Sequence, residues 1–399
     1  MEPATGTRDR FADLLRTVAL GAVILGHWTM GAVSVDASGE LSVGNVLNVE
    51  RWLWPATWVL VLIGLFFFVG GFSNATSRAR ALARGLTEAA WVRRRTSTLL
   101  RPVVPFVLAC IGVALLALWL GVPRTLTLTI AVVVLMPLWF VAVYAVLVVL
   151  TPVMLRLDGR YGARVWIALG LGAVVVDLVR IAVDNPYVGY LNYVLVWGLA
   201  QQLGFAYRDG RLTRLSRRAL VCWALTAFAA MVLVTASPLW AESMVGLAGE
   251  RSNMNPPSVP SLLHVLVQVP VALLLRPLVA PHLDGRAAPV LDRAAAVSMR
   301  AFLWHLPVAV AVTGVMYVIG IPFPDPGSAA WWWSRPLVVA GFGAALWGVL
   351  RLGDGVRAAS ARRRGPKSDV VARLADARGD EPDRLQPAEH PAAEAEAEH

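Results

Sequence analysis

Long apolar runs alternate with short arginine-bearing segments from about residue 14 to about residue 351. Read by hydropathy, the runs cover about 14–33, 52–73, 99–120, 127–150, 166–183, 190–205, 219–236, 260–281, 299–320 and 331–351. A helix needs roughly 20 apolar residues to cross a bilayer, and most of these runs come close to that length. The pattern predicts an all-α fold, a polytopic membrane helix bundle of about ten transmembrane helices. The run at about 190–205 is the shortest of them.

The loops set the orientation. With the amino terminus inside, the first inner loop carries Arg78, Arg80, Arg84, Arg93, Arg94 and Arg95. The next two carry Arg156, Arg160 and Arg164, then Arg208, Arg211, Arg214, Arg217 and Arg218, and the fourth Arg286 and Arg293. The outer loops hold only Arg51, Arg124 and Arg251. Basic residues accumulate on the cytoplasmic side of membrane proteins, so both termini are expected in the cytoplasm of a multi-pass protein of the cell membrane. Residues 1–351 then form one membrane domain. Residues 352–399 form a cytoplasmic tail, basic at Arg362, Arg363, Arg364 and Lys367 and then Ala/Glu-rich, which is expected to be largely disordered.

Composition agrees: 57% of the 399 residues are hydrophobic and 16% charged. A net charge of +10 raises nucleic acid as a partner, but the arginines sit between apolar runs rather than on one exposed face, which argues against it. Lys367 is the only lysine, a bias that reflects genome composition rather than site chemistry. Cys110 and Cys222 both fall in apolar runs and are expected to be buried thiols with no disulfide. The first apolar run is too long for a signal-peptide core and lacks a cleavage site, so no cleavable leader is expected.

The first run, LLRTVALGAVILGHWTMGAV, carries Arg16 and His27. Ionisable groups within a membrane are costly and mark function by default. Eleven residues of helix bring the two onto one face, about 16 Å apart along the axis. One end of that face holds a permanent cation, the other a ring that exchanges protons near neutral pH. An arginine snorkelling to the interface beside a packed histidine is the alternative. Asp177 and Arg180, three apart on one helical face, form either a structural ion pair or part of a polar cavity. Asn192, Gln201, Gln202, His264 and Gln268 suit contacts between helices. His305 lies in FLWHLPV, one to two turns inside the cytoplasmic end of its span. Trp331, Trp332 and Trp333 suit an interfacial aromatic belt. The histidines lack metal-ligand spacing, and no phosphate-cradling glycine loop is present.

Several strings together resemble the acyltransferase 3 family of bacterial membrane O-acyltransferases. They are Arg16 and His27 in the first helix, FFFVGGF at 66–72, LWFVAVY at 138–144, LNYVLVWGLAQQLGFAYRDG at 191–210 and FLWHLPV at 302–308. The resemblance spans roughly residues 8–351. It implies transfer of an acyl group, often acetyl, from cytoplasmic acyl-CoA to a hydroxyl of a glycan, lipid carrier or small molecule, with acyl-CoA as co-substrate and no permanently bound cofactor. It implies His27 as the catalytic histidine and Arg16 as its partner. The family's Arg-x-x-Arg opening the third span is matched by Arg101 alone; Thr98 stands in the first arginine's place, and Arg95 lies one turn further back. Arg16, Arg101 and Arg95 are the candidate donor-binding cations, with His305, Asp177 and Arg180 as supporting polar residues. A secondary transporter or flippase using His27 and the Asp177/Arg180 pair as a polar relay is the rival reading.

Overall fold

The computed structural model describes residues 9–35, 41–247 and 251–378, with side chains as far as Gly355. The chain forms two compact units, Met1–Leu346 and Trp347–His399. Nine helical segments among the described residues are long and apolar enough to cross a membrane. They contain α1 (Arg10–Met30), α2 with α3 (Trp54–Leu60, Ile63–Leu82), α4 with α5 (Glu88–Leu100, Val103–Trp119) and α6 with α7 (Arg124–Leu135, Leu138–Tyr161). The others are α8 (Arg164–Ala182), the later helices α10 (Arg217–Thr235), α11 (Val259–Val279) and α12 (Ala287–Val318), and the start of α13 (Ala329–Arg378).

The remaining expected span is α9 (Asn192–Arg208), 17 residues long. Every residue from Val196 to Tyr207 is buried. A helix enclosed by protein need not present a full apolar length to lipid, which is why this run is short and admits Gln201 and Gln202. The carboxamide of Gln201 donates to Leu147 O at 3.1 Å and that of Gln202 to Met154 O at 3.1 Å.

Gly71 of FFFVGGF and Gly204 of α9 are a packing device. A Cβ on Gly71 would lie 2.1 Å from Gln201 O, and one on Gly204 would lie 2.0 Å from Phe68 O. The backbones of α3 and α9 touch there, and only glycine permits it.

The helix breaks are also satisfied. Between α2 and α3 the chain unwinds at Val61 and Leu62. Gln268 Nε2 donates to Val61 O at 2.6 Å, and His264 Nε2 lies 2.5 Å from Trp58 O. These α11 side chains meet carbonyls at a depth where water would otherwise be required. Asp177 is wholly buried and accepts from the Trp240 indole at 2.7 Å and from Val259 N at 2.8 Å, while Arg180 Nη2 lies 2.7 Å from its other oxygen. It anchors the first turn of α11, and neither Asp177 nor Arg180 is in the wall of the two concavities described below.

Several expectations from sequence are corrected. α1 ends at Met30, and Gly31–Val35 pairs antiparallel with Leu41–Asn45 as a short hairpin, β1 and β2. Cys222 is exposed on the bundle surface and Cys110 is half-buried. Trp331 is fully buried, and of the three consecutive indoles Trp333 faces outward most, at 82% exposure. α12 begins at Ala287, inside the expected inner loop of about 282–298, because its Ala-rich first turns are helical without being apolar. α13 is helical as far as Arg378; residues 379–399 of the expected tail lie outside the described residues.

Candidate active site

Two ends of the bundle can be told apart. At the near end, where α1 begins, Arg10 pairs with Asp284 at 2.9 Å and with Asp292 at 3.6 Å. Tyr207 at the close of α9 donates to Asp9 at 2.8 Å, and Arg276 in the last turn of α11 lies over the Tyr207 ring. At the far end, where α1 finishes, lie the start of α11, the end of α10 and the hairpin.

The near end holds a cavity of about 460 Å³ with Arg80, Arg84, Arg94 and Arg95 in its wall, beside Phe72 and Thr98. Four guanidiniums against the two carboxylates of Asp9 and Asp13 leave the wall net positive, which suits a polyanion. Arg95 is the most firmly held. Its Nε donates to Asn74 Oδ1 at 3.1 Å and its Nη2 reaches Tyr144 OH at 3.3 Å. Asn74 is fully buried and also donates to Gln201 Oε1 at 3.1 Å, so the contact between α3 and α9 extends into a polar chain that aims Arg95. Arg84 lies beyond α3, and Arg94 and Arg95 lie on α4, one face of a helix where the sequence showed only a basic loop.

Of the other two candidate donor-binding cations, neither lines this cavity. Arg101 is exposed at the elbow between α4 and α5. Arg16 pairs with Asp13 at 2.8 Å, and Asp13 is itself in the cavity wall. Arg16 therefore borders the site through its partner.

His27 lies about 21 Å further along α1 from Asp13, by helix rise. Its Nδ1 is 2.8 Å from Nε2 of His305, which is fully buried. The other His305 nitrogen, Nδ1, is 2.5 Å from Phe302 O, and the neighbouring Trp28 indole donates to His305 O at 3.1 Å. His305 lies eighteen residues into α12. Because α1 and α12 run the same way, their histidines reach the same depth. On the far side of His27, Arg335 of α13 stacks over Trp331 with its guanidinium carbon 4.2 Å from the ring centre, and donates to Gly31 O at 3.4 Å.

Sequence reasoning named His27 and His305 but gave no reason to join them. It missed Asn74, Tyr144, Trp28 and Arg335. The i, i+1 placement of His27 and Trp28 was the available signal, since two polar-tipped rings in succession on a membrane helix require partners. Asp177 and Arg180 are not brought to this histidine pair by any observed contact.

A multi-pass helical membrane protein with a histidine pair, His27 half-buried and His305 fully buried, and an arginine-lined cavity is the class that fold and site define. The acyltransferase 3 model, described as an acyltransferase domain, matches residues 9–350, and the chain belongs to that family. It is therefore an acyltransferase enzyme embedded in a membrane, working between an acyl donor and a hydroxylated acceptor. No curated protein and no solved structure matches it.

Proposed function

We propose that this enzyme takes an acyl group, acetyl in the simplest case, from acyl-CoA at the near end of the bundle and transfers it through the His27 site to a hydroxyl presented from the far end, in the cell membrane with the near end cytoplasmic. The observation that carries this reading is the pairing of the four-arginine cavity at one end of α1 with the His27–His305 pair near the other. CoA brings three phosphate groups and a long, uncharged pantetheine arm. The arginines suit the phosphates by charge-assisted contact. The separation of about 21 Å along α1 suits the extended arm.

A second concavity of about 520 Å³ at the far end, between Trp54, Thr235 and Trp240, with Arg51, Glu242 and Arg251 in its wall, suits an acceptor. His27 serves as base for the acceptor hydroxyl, or carries the acyl group itself and passes it on. The transporter reading finds less support, because Asp177 is committed to Arg180, Trp240 and Val259.

Inverted vesicles supplied with labelled acetyl-CoA test the proposal. Label should appear on an O-linked acceptor. Movement of an acceptor across the vesicle without acyl transfer would instead support transport. In the same vesicles, Arg95→Leu should raise the half-saturating acetyl-CoA concentration about 10- to 100-fold, the size of a lost charge-assisted contact. Arg101→Leu, changing an exposed cation outside the cavity wall, should move it about twofold at most. The reverse ranking would return the donor site to the elbow of α4 and α5.

A further inference from the structure

We infer that His305 is a positioning residue that locks His27 in the one neutral tautomer with a bare Nε2, an inference that rests on His27 being the acyl-transfer centre. Hydrogen-bond direction gives the assignment. Phe302 O can only accept, so the His305 Nδ1 lying 2.5 Å from it must carry the proton. A neutral imidazole has one N–H, which leaves His305 Nε2 as an acceptor. The His27 Nδ1 that lies 2.8 Å away must then be the donor, and its own proton is accounted for. The lone pair on His27 is left at Nε2.

The ring geometry supports a directed bond rather than a stack. The ring planes differ by 8° and the centroids are 5.1 Å apart. Two imidazole radii of about 1.2 Å added to the N···N distance come to about 5.2 Å, so the bond runs nearly along the line joining the ring centres, as a linear N–H···N bond does. Two rings lying face to face at that separation could not bring nitrogens to 2.8 Å. His305 is itself held from a second side. Trp28, next to His27 in sequence, donates to its backbone carbonyl, so adjacent residues of α1 grip both the ring and the main chain of one α12 residue.

Transfer uses the bare nitrogen. The acceptor oxygen bonds to the thioester carbonyl carbon while His27 Nε2 takes the hydroxyl proton. The C–S bond then breaks, and the sulfur leaves as the CoA thiol with that proton. If the acyl group rests on the ring, the same lone pair forms the N–C bond as the C–S bond breaks and CoA departs as thiolate; the acceptor oxygen then replaces the nitrogen at the acyl carbon, and its hydroxyl proton passes to the thiolate to give the CoA thiol. With the proton at Nε2 instead, neither step can begin. In the imidazolium formed on the way, the Nδ1–H bond to a neutral His305 strengthens, because its donor is then charged.

The test uses the full chain in vesicles with labelled acetyl-CoA and the acceptors native to those membranes. His305→Leu should cut label transfer on the order of 100-fold, as loss of an orienting partner does, with half-saturating acetyl-CoA unchanged. His305→Gln, whose carbonyl oxygen can accept where Nε2 did, should recover at least about tenfold of that loss. Independently of turnover, ¹⁵N shifts of the His27 ring should report a protonated Nδ1 and a bare Nε2 in the wild type, and mixed tautomers in His305→Leu. Equal activity of the Leu and Gln variants, or a wild-type His27 protonated at Nε2, would overturn the inference. Because the ring is read without catalysis, failure here is distinct from a wild type that transfers no label, which would sink the acyl-transfer reading.

Discussion

Gly204→Ala is expected to abolish the folded bundle, or to lower its melting temperature by more than any other single methyl addition among the described glycines. The added Cβ would lie 2.0 Å from Phe68 O, 2.7 Å from Phe72 N and 3.0 Å from Gly71 Cα. All three are main-chain atoms of α3 and cannot rotate away. Adding a methyl to a well-filled core ordinarily costs about 1–3 kcal/mol, through side chains that can adjust. Here two helices must separate, which places the cost with the exceptional losses above about 4 kcal/mol. Separation would also pull Gln201 from Asn74, and with it the support of Arg95. Gly170→Ala is the control, since its Cβ would meet only a Leu199 methyl at 3.6 Å. Melting in detergent, followed by tryptophan fluorescence, should separate the two by roughly 5–10 °C or more. A Gly204→Ala protein that melts with the control would show that α3 and α9 can re-space freely.

The second large effect is on chemistry. His27→Ala should reduce label transfer from acetyl-CoA by at least about 10³-fold, the range expected when a general base or nucleophile is removed. Labelled acetyl-CoA should still bind, because Asp13, in the wall of the arginine-lined cavity, lies about 21 Å from His27 along α1. Retained transfer in this variant, with the protein folded, would remove His27 from the reaction. Loss of donor binding together with transfer would instead assign it to the shape of the bundle.

Much of the fold was legible in the sequence because membrane helices declare themselves by apolar length. The errors fall where helix and hydropathy part company. The first turns of α12, AAPVLDRAAAVSMR, are helical but not apolar enough to show, so the start of this helix was placed too late. The segment with Arg93, Arg94 and Arg95 looked like a basic loop and is a helix opened by Thr87, whose hydroxyl accepts from Ala90 N. In the candidate site, the spacing of Arg16 and His27 drew attention to α1. It could not show that Arg16 turns to Asp13, three residues back, rather than into the arginine-walled cavity. Partners separated by 278 positions, as His27 and His305 are, leave no trace in local periodicity. Arg95 was a fallback for a missing motif arginine on sequence grounds; Asn74 and Tyr144 give it a physical reason to be fixed.

The ion pairs of Arg10 with Asp284 and Asp292 bear on more than the surface at which they lie. They tie the foot of α1 to the foot of α12, and each helix then climbs some seventeen or eighteen residues to its histidine. Both climbs are of nearly equal length, so the salt links act as a common datum for two rulers. If α1 slid by even half a turn, about 2.7 Å, the two imidazoles could no longer bond. Carboxylates at the near end thus help to gauge the alignment of a histidine pair roughly 25 Å away.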